Sequence, residues 1–267
     1  MTNEISLQDV ANYLDNIGIQ FLATIGLDGK PKVRPMQYMI LASLLTIFCT
    51  KVQASQQIDH NNLLYQELAI NIVENQKTPL VIYLHSKHAS GNDNQKQLSQ
   101  AGAQAIAEYL KKNKISAYFI VPQCPEEYEW DGQGGRPGCI SSVEDLIIQY
   151  IRTRNIDVSR IYVCGASMGA CGVWKLLKDN PKLFAAAIIA SGQPQRTYPS
   201  DFTEVPLYVT VGSKERSYDA LNRFISEINE IGGKVKFDVL IGMKHGEACD
   251  NAFSSQRLKW LFSQEKK

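Results

Sequence analysis

The sequence predicts an α/β fold built on a mainly parallel sheet with helices on both faces. Two observations carry this expectation. From about Gln57 onward, apolar runs of strand length alternate with amphipathic stretches of helical length, without a break. The first clear run, residues 79–85 (PLVIYLH), is apolar at almost every position, as a strand buried on both faces must be.

The elements follow in order. Near the start, residues 6–16 read as helix, and residues 21–25 and Val33 flank Asp28-Gly29, which predicts a hairpin. After the strand at 79–85, Leu98, Ala101, Ala105, Tyr109 and Leu110 repeat at helical spacing across residues 97–112. Residues 116–121 (SAYFIV) form the next strand. Val143, Leu146, Ile147, Tyr150 and Ile151 line one side of a helix over 142–152. Residues 160–164 are a strand and 168–178 a helix. Strands are expected at 184–190 and 206–211. A helix over 218–231 ends at Gly232-Gly233, since glycine accepts the left-handed conformation that closes helices. Residues 234–241 alternate as a strand, and 251–262 form a closing helix.

Composition narrows the function classes. The 267 residues carry 28 basic and 27 acidic side chains, a net charge of +1, so no basic surface suited to a nucleic-acid backbone is expected. A hydrophobic content of 44% excludes a disordered chain. The six cysteines lack C-x-x-C spacing, which argues against a structural zinc site, and no metal or cofactor is expected.

The longest uncharged apolar run, residues 39–50 (MILASLLTIFCT), is short of the ~20 residues that a membrane span requires. Val52-Gln53-Ala54 follows it and fits a signal-peptidase site, so the run reads as an internal secretory segment cleaved before Ser55. A secreted or periplasmic location is expected, with Met36 or Met39 as the functional start; a cytoplasmic location follows if the run is instead a buried element. The exported form would carry five cysteines, with Cys164 as the candidate free thiol and Cys171–Cys249 as a candidate bridge. The expected organisation is an N-terminal fragment over 1–38, the apolar segment and linker over 39–56, and a main domain over 57–267.

The sharpest motif is Gly165-Ala166-Ser167-Met168-Gly169, which fits G-x-S-x-G and stands between a strand and an amphipathic helix. This pattern suits a nucleophilic serine on a strained strand-to-helix turn, where neighbours two residues away must be small. The free N–H groups of the helix start stabilise developing negative charge, and Met168 N–H is one candidate oxyanion donor. The chain order of such sites then requires an acid and last a histidine. Only His245 lies downstream of Ser167, which assigns it as the general base. Glu215, the first carboxylate beyond the strand at 206–211, is the candidate acid; Asp219, one helical turn later, is the alternative. The loop after residues 79–85 is expected to supply the second oxyanion N–H, from Lys87 or Ser86, with His85 bracing that loop. Trp130, Trp174 and Tyr128 are either pocket-lining or core aromatics.

These residues together resemble the α/β-hydrolase superfamily. More narrowly they resemble its secreted esterase and predicted-peptidase branch, near polyhydroxybutyrate depolymerases, feruloyl esterases and prolyl-oligopeptidase-like enzymes. The matching residues are His85, Gly91, Asp93 and Asn94; Pro122-Gln123-Cys124-Pro125 with Trp130; Asp157 and Arg160-Ile161-Tyr162; Gly165, Ser167-Met168-Gly169 and Trp174; and Pro181 with Phe184-Ala185-Ala186. The resemblance covers about residues 57–264. It implies a three-layer α/β-hydrolase fold and a serine hydrolase cleaving small-molecule or polymer esters. A prolyl-oligopeptidase-like peptidase is the alternative, and a catalytically impaired fold used for binding a third reading. Four positions depart from the family pattern: Ser86 and His88 stand where it has glycine, Ala170 replaces a second glycine after the motif, and Glu215 takes the place of the usual aspartate. The two lost glycines imply an oxyanion loop of different shape.

The first residues are similar to a different family. Asn16, Gly18, Phe21-Leu22-Ala23-Thr24 and Asp28-Gly29-Lys30-Pro31 with Val33-Arg34-Pro35-Met36 resemble the opening of a pyridoxamine 5′-phosphate oxidase-like split barrel. The match ends at about Met39, short of the strands that a flavin barrel needs, so residues 1–38 read as a fused fragment without flavin.

Overall fold

The structure is a computed structural model that describes residues 63–132 and 134–266 in full, with the backbone of three further short strands. The chain divides into two units, Met1–Lys51 and Val52–Lys267. In the first, β1 (Thr24–Ile25) pairs antiparallel with β2 (Pro31–Lys32), while Asp28-Gly29 between them lies outside the described residues. The remaining resemblance to a flavin split barrel and the apolar run with its expected cleavage site, residues 39–54, lie outside the described residues.

The second unit is organised on one sheet. Its strands are β3 (Ser55–Ile58), β4 (Leu64–Ile70), β5 (Thr78–Leu84), β6 (Ala117–Pro122), β7 (Ile156–Ala166), β8 (Ala186–Ala190), β9 (Leu207–Gly212) and β10 (Val235–Leu240). Their order is β10-β9-β8-β7-β5-β6-β4-β3. The pairs from β10 to β6 are parallel, and β4 and β3 continue the sheet antiparallel. Side chains alternate between two apolar layers. Leu80, Ile82 and Leu84 of β5 join the cluster that holds Val143, Val173 and Leu221, while Val81 and Tyr83 join the cluster that holds Ile106 and Leu258. Helices α2 (Ile140–Thr153), α3 (Met168–Asp179) and α4 (Tyr218–Glu230) therefore cover one face, and α1 (Ala101–Lys112) and α6 (Ser255–Phe262) cover the other. A strand buried on both faces has no polar side, which is why β5 reads as an unbroken apolar run.

The structure revises several element boundaries. β4 was not anticipated, because its inward positions include Glu67, which is 7% exposed and breaks the apolar alternation. That carboxylate is tolerated because the Tyr150 hydroxyl donates to it and Arg154 lies 3.7 Å away. β3 falls partly within residues 39–56, read from sequence as segment and linker. The helix expected over 97–112 begins at Ala101, since Gln100 is extended and Lys96–Ser99 forms a separate 3-10 turn. The closing helix expected over 251–262 begins at Ser255 as α6, and a separate helix, α5 (His245–Asn251), precedes it where the sequence reads as loop. The break between them lets Phe253 bury its ring edge-on against Tyr83, with centroids 5.5 Å apart.

Chain direction places a site. From β5 the chain crosses to β6 on one side, and β7 then continues to β8 on the other. The strand order reverses between β5 and β7, and the loops leaving their C-terminal ends diverge to leave a crevice there. Ser167 directly follows β7 at that crevice.

Candidate active site

Ser167 joins β7 to α3 with φ 56° and ψ −117°, a left-handed conformation that is strained for a residue with a Cβ. Its N–H donates to Ala190 O at 2.8 Å, and its carbonyl accepts from Cys171 N–H at 3.2 Å. Two glycines allow this turn through space rather than backbone freedom. A Cβ on Gly165 would sit 2.5 Å from Gly169 O, and one on Gly169 would overlap the Leu84 carbonyl. Gly192, which sequence reasoning missed, serves the same packing: its Cβ would stand 2.7 Å from Ser167 O.

The three residues expected to act together are brought together. Ser167 Oγ lies 2.7 Å from His245 Nε2, and His245 Nδ1 lies 2.7 Å from Glu215 Oε2. A carboxylate only accepts, so Nδ1 carries the ring proton and Nε2 is left to accept from the serine hydroxyl. The second Glu215 oxygen accepts from Ser191 Oγ and Gly212 N–H, both at 2.7 Å. Burial pushes the Glu215 pKa up, but the hydrogen bonds from His245, Ser191 and Gly212 outweigh it and hold the carboxyl below its ordinary range. The hydrogen bond to Glu215 raises His245 above the ordinary histidine value, against the opposing effect of burial. Asp219 is exposed on the first turn of α4 and takes no part in this chain.

The supports of His245 and Glu215 are laced together. His245 opens α5 rather than lying in a loop, and Lys244 N–H donates to Glu247 at 2.8 Å ahead of it. Lys214 N–H donates to Met243 O at 3.1 Å, and Gly242 N–H to Ser213 Oγ at 2.8 Å. Ser191 is a second supporting residue that sequence reasoning missed: it is 4% exposed, at φ 54°, just after β8. Its only signal is a small hydroxyl residue at the end of the strand beside the serine's own. Cys249 is close to the same cluster, and burial pushes its thiol up to about 12, so it stays neutral beside Glu215.

The two candidate oxyanion donors are the first residues of helical turns. Met168 N–H opens α3 and Lys87 N–H opens the 3-10 turn Lys87–Ala89, positions with no acceptor inside their own turns. The carbonyls of Leu84 and His85 press on Gly169, so the Lys87 loop leaves β5 directly against the start of α3. The Lys87 ammonium is held by Glu126 O at 3.2 Å, Tyr128 O at 3.1 Å and Glu129 at 3.3 Å. His85 is fully buried beneath this loop. Its Nδ1–H donates to Ser86 O at 2.7 Å and its Nε2 accepts from Cys124 N–H at 2.9 Å. Desolvation lowers its pKa to about 4, so it remains the neutral tautomer that this pairing requires. Trp130 and Trp174 are buried core residues, donating to His85 O and Gly192 O respectively, and Tyr128 is exposed.

No family model and no curated protein matches the chain. Solved structures do. A thermostable esterase superposes with a TM-score of 0.73 at 25% identity, over 80% of this chain and 62% of its own. The fold is the α/β-hydrolase fold. A ferulic acid esterase (TM-score 0.62, 14% identity, 79% of this chain and 97% of its own) shares this fold. So does an S-formylglutathione hydrolase from Staphylococcus aureus (TM-score 0.60, 12% identity, 79% and 98%). This chain thus spans less than two thirds of the thermostable esterase. Among the described residues of this α/β-hydrolase fold, no helix is long and apolar enough to cross a membrane.

Proposed function

We propose that the chain is a serine hydrolase that cleaves carboxylic esters through an acyl-enzyme on Ser167. The observation that carries this reading is the continuous hydrogen-bonded chain Ser167–His245–Glu215, on an elbow with the backbone strain that a presented nucleophile requires. In this reading His245 Nε2 takes the hydroxyl proton as Ser167 Oγ attacks the ester carbonyl. Glu215 keeps the imidazole in the required tautomer and stabilises the imidazolium. Met168 N–H and Lys87 N–H receive the oxyanion. His245 then returns the proton to the departing alcohol, and water releases the acyl group by the same route in reverse. Support for an ester, rather than a peptide, comes from the esterase names of the thermostable and ferulic acid structures that share the fold.

The test is labelling by a fluorophosphonate probe with the site mapped, together with hydrolysis of a short acyl nitrophenyl ester and of the matching acyl-peptide nitroanilide. Labelling at Ser167, ester turnover that the nitroanilide does not match, and loss of both label and turnover in Ser167→Ala are expected. Turnover close to wild type in Ser167→Ala sinks the reading, and nitroanilide turnover above that of the ester moves it to a peptidase.

We further propose that the chain is exported and cleaved after Ala54. Such a cut leaves β3, which begins at Ser55, whole at the edge of the sheet.

A further inference from the structure

The sulfurs that meet among the described cysteines are not Cys171 and Cys249 but Cys124 and Cys139, with Sγ 3.5 Å from Sγ. Both side chains are buried. We propose that Cys124 and Cys139 form an intrachain disulfide that staples the segment between them onto the loop carrying Lys87.

The backbone around the pair is already arranged for such a bond. Cys139 N–H donates to Glu129 O at 3.2 Å and Glu129 N–H to Pro137 O at 3.0 Å, an isolated parallel bridge between Glu129 and Gly138 that fixes the backbone leading into Cys139. Cys124 N–H is fixed on His85 at 2.9 Å. The sulfurs have to approach by roughly 1.5 Å to reach a bonded S–S distance. What the bond would fix is the support of the Lys87 loop. Between the two cysteines lie Trp130, whose indole N–H donates to His85 O at 3.0 Å, and Glu129, which pairs with Lys87. Closing a loop of this length restricts mainly the unfolded chain.

The chemistry requires a disulfide as oxidant, small or protein-borne. One cysteine thiolate attacks the oxidant's S–S bond, displaces one thiolate and becomes a mixed disulfide. The second cysteine thiolate attacks that sulfur and displaces the other half. Two cysteine thiols are oxidised, the oxidant is reduced to two thiols, and the two cysteine protons pass to them. The hydrogen bond to Cys124 and burial both push the Cys139 thiol above its ordinary range, so exchange belongs to the folding chain, before the pair is enclosed.

The test is refolding of the full chain in a buffer of reduced and oxidised glutathione, followed by acid quench, alkylation and peptide mapping. A single Cys124–Cys139 linkage with the other four of the six cysteines alkylated is the expected result. The thermal midpoint of this form should exceed that of dithiothreitol-treated protein by several degrees. Cys171→Ala/Cys249→Ala should retain both the linkage and the shift, while Cys139→Ala should melt at the same temperature with and without dithiothreitol. Alkylation of all six cysteines, a persistent glutathione adduct on Cys124 or Cys139, or a dominant linkage of any other pair overturns the proposal. None of these readouts depends on ester turnover.

Discussion

Glu215 holds the His245 pKa up against the opposing effect of burial, and its removal should be visible in the pH profile. His245 serves as a base only when neutral, and its raised pKa means that the activity on the acid side falls at a pH above the ordinary histidine value. Glu215→Gln removes the largest cause of that rise and leaves an amide that no longer stabilises the imidazolium. The expected outcome is a fall in kcat of about 10³–10⁴-fold, with the acid limb of kcat/KM displaced to lower pH. Asp219→Asn should leave both within about twofold, because its carboxylate touches no member of the chain; as an exposed substitution it costs at most ~0.5 kcal/mol of stability. Rates across pH with a nitrophenyl ester distinguish the two, and the reverse ranking moves the acid to Asp219. Ser191→Ala leaves Glu215 with the Gly212 N–H as the one remaining donor to its outer oxygen. It should raise the Glu215 pKa toward its ordinary range, without the displacement of the His245 limb to lower pH that Glu215→Gln produces.

The elements that hold the site are constrained by backbone contact more than by side-chain chemistry. Gly169 lies on the first turn of α3 with no room for a Cβ against the Leu84 carbonyl of β5. Gly169→Ala must therefore push α3 off the sheet that it packs against, at a cost of roughly 3 kcal/mol or more. A loss of soluble protein or a lowered denaturation midpoint is expected; an unchanged midpoint contradicts the packing described here. The same logic separates what was readable at this scale from what was not. α4 was legible because Leu221, Ile225 and Ile228 fall on one face and a glycine pair follows. β4 was not, since Glu67 occupies an inward position and only Tyr150 and Arg154, distant in sequence, make that acceptable. α5 reads as loop in the sequence because its seven residues, His245–Asn251, bury only Ala248 and so carry no helical period; the burial of Phe253 against Tyr83 beyond its end is a tertiary contact.

For the whole molecule, the reversal of strand order between β5 and β7 brings three loops from distant parts of the chain to one end of the sheet. Export, if it occurs by cleavage after Ala54, has to leave that sheet intact, and the eighth strand starting at Ser55 satisfies the requirement. N-terminal sequencing of protein recovered from the periplasm or culture fluid should give Ser55 as the first residue. An intact Met1 terminus in cytosolic protein refutes the idea.

By itself the sequence determined the alternation of strand and helix, the elbow at Ser167, and the order of acid and histidine after it. These are local properties, since the period of burial and the small residues around a tight turn are set by near neighbours in the chain. The sequence favours Glu215 over Asp219 by its place just past a strand, but only tertiary structure sets Glu215 against the imidazole, because the two carboxylates lie four residues apart and it is the cross-laced loops at Met243 and Ser213 that hold this one there. Tertiary structure alone supplied Ser191 and Gly192, which act through strands adjacent in space. It also brought Cys124 to Cys139, since the pairing of two sulfurs depends on where a loop returns, and cysteine spacing carries no record of that.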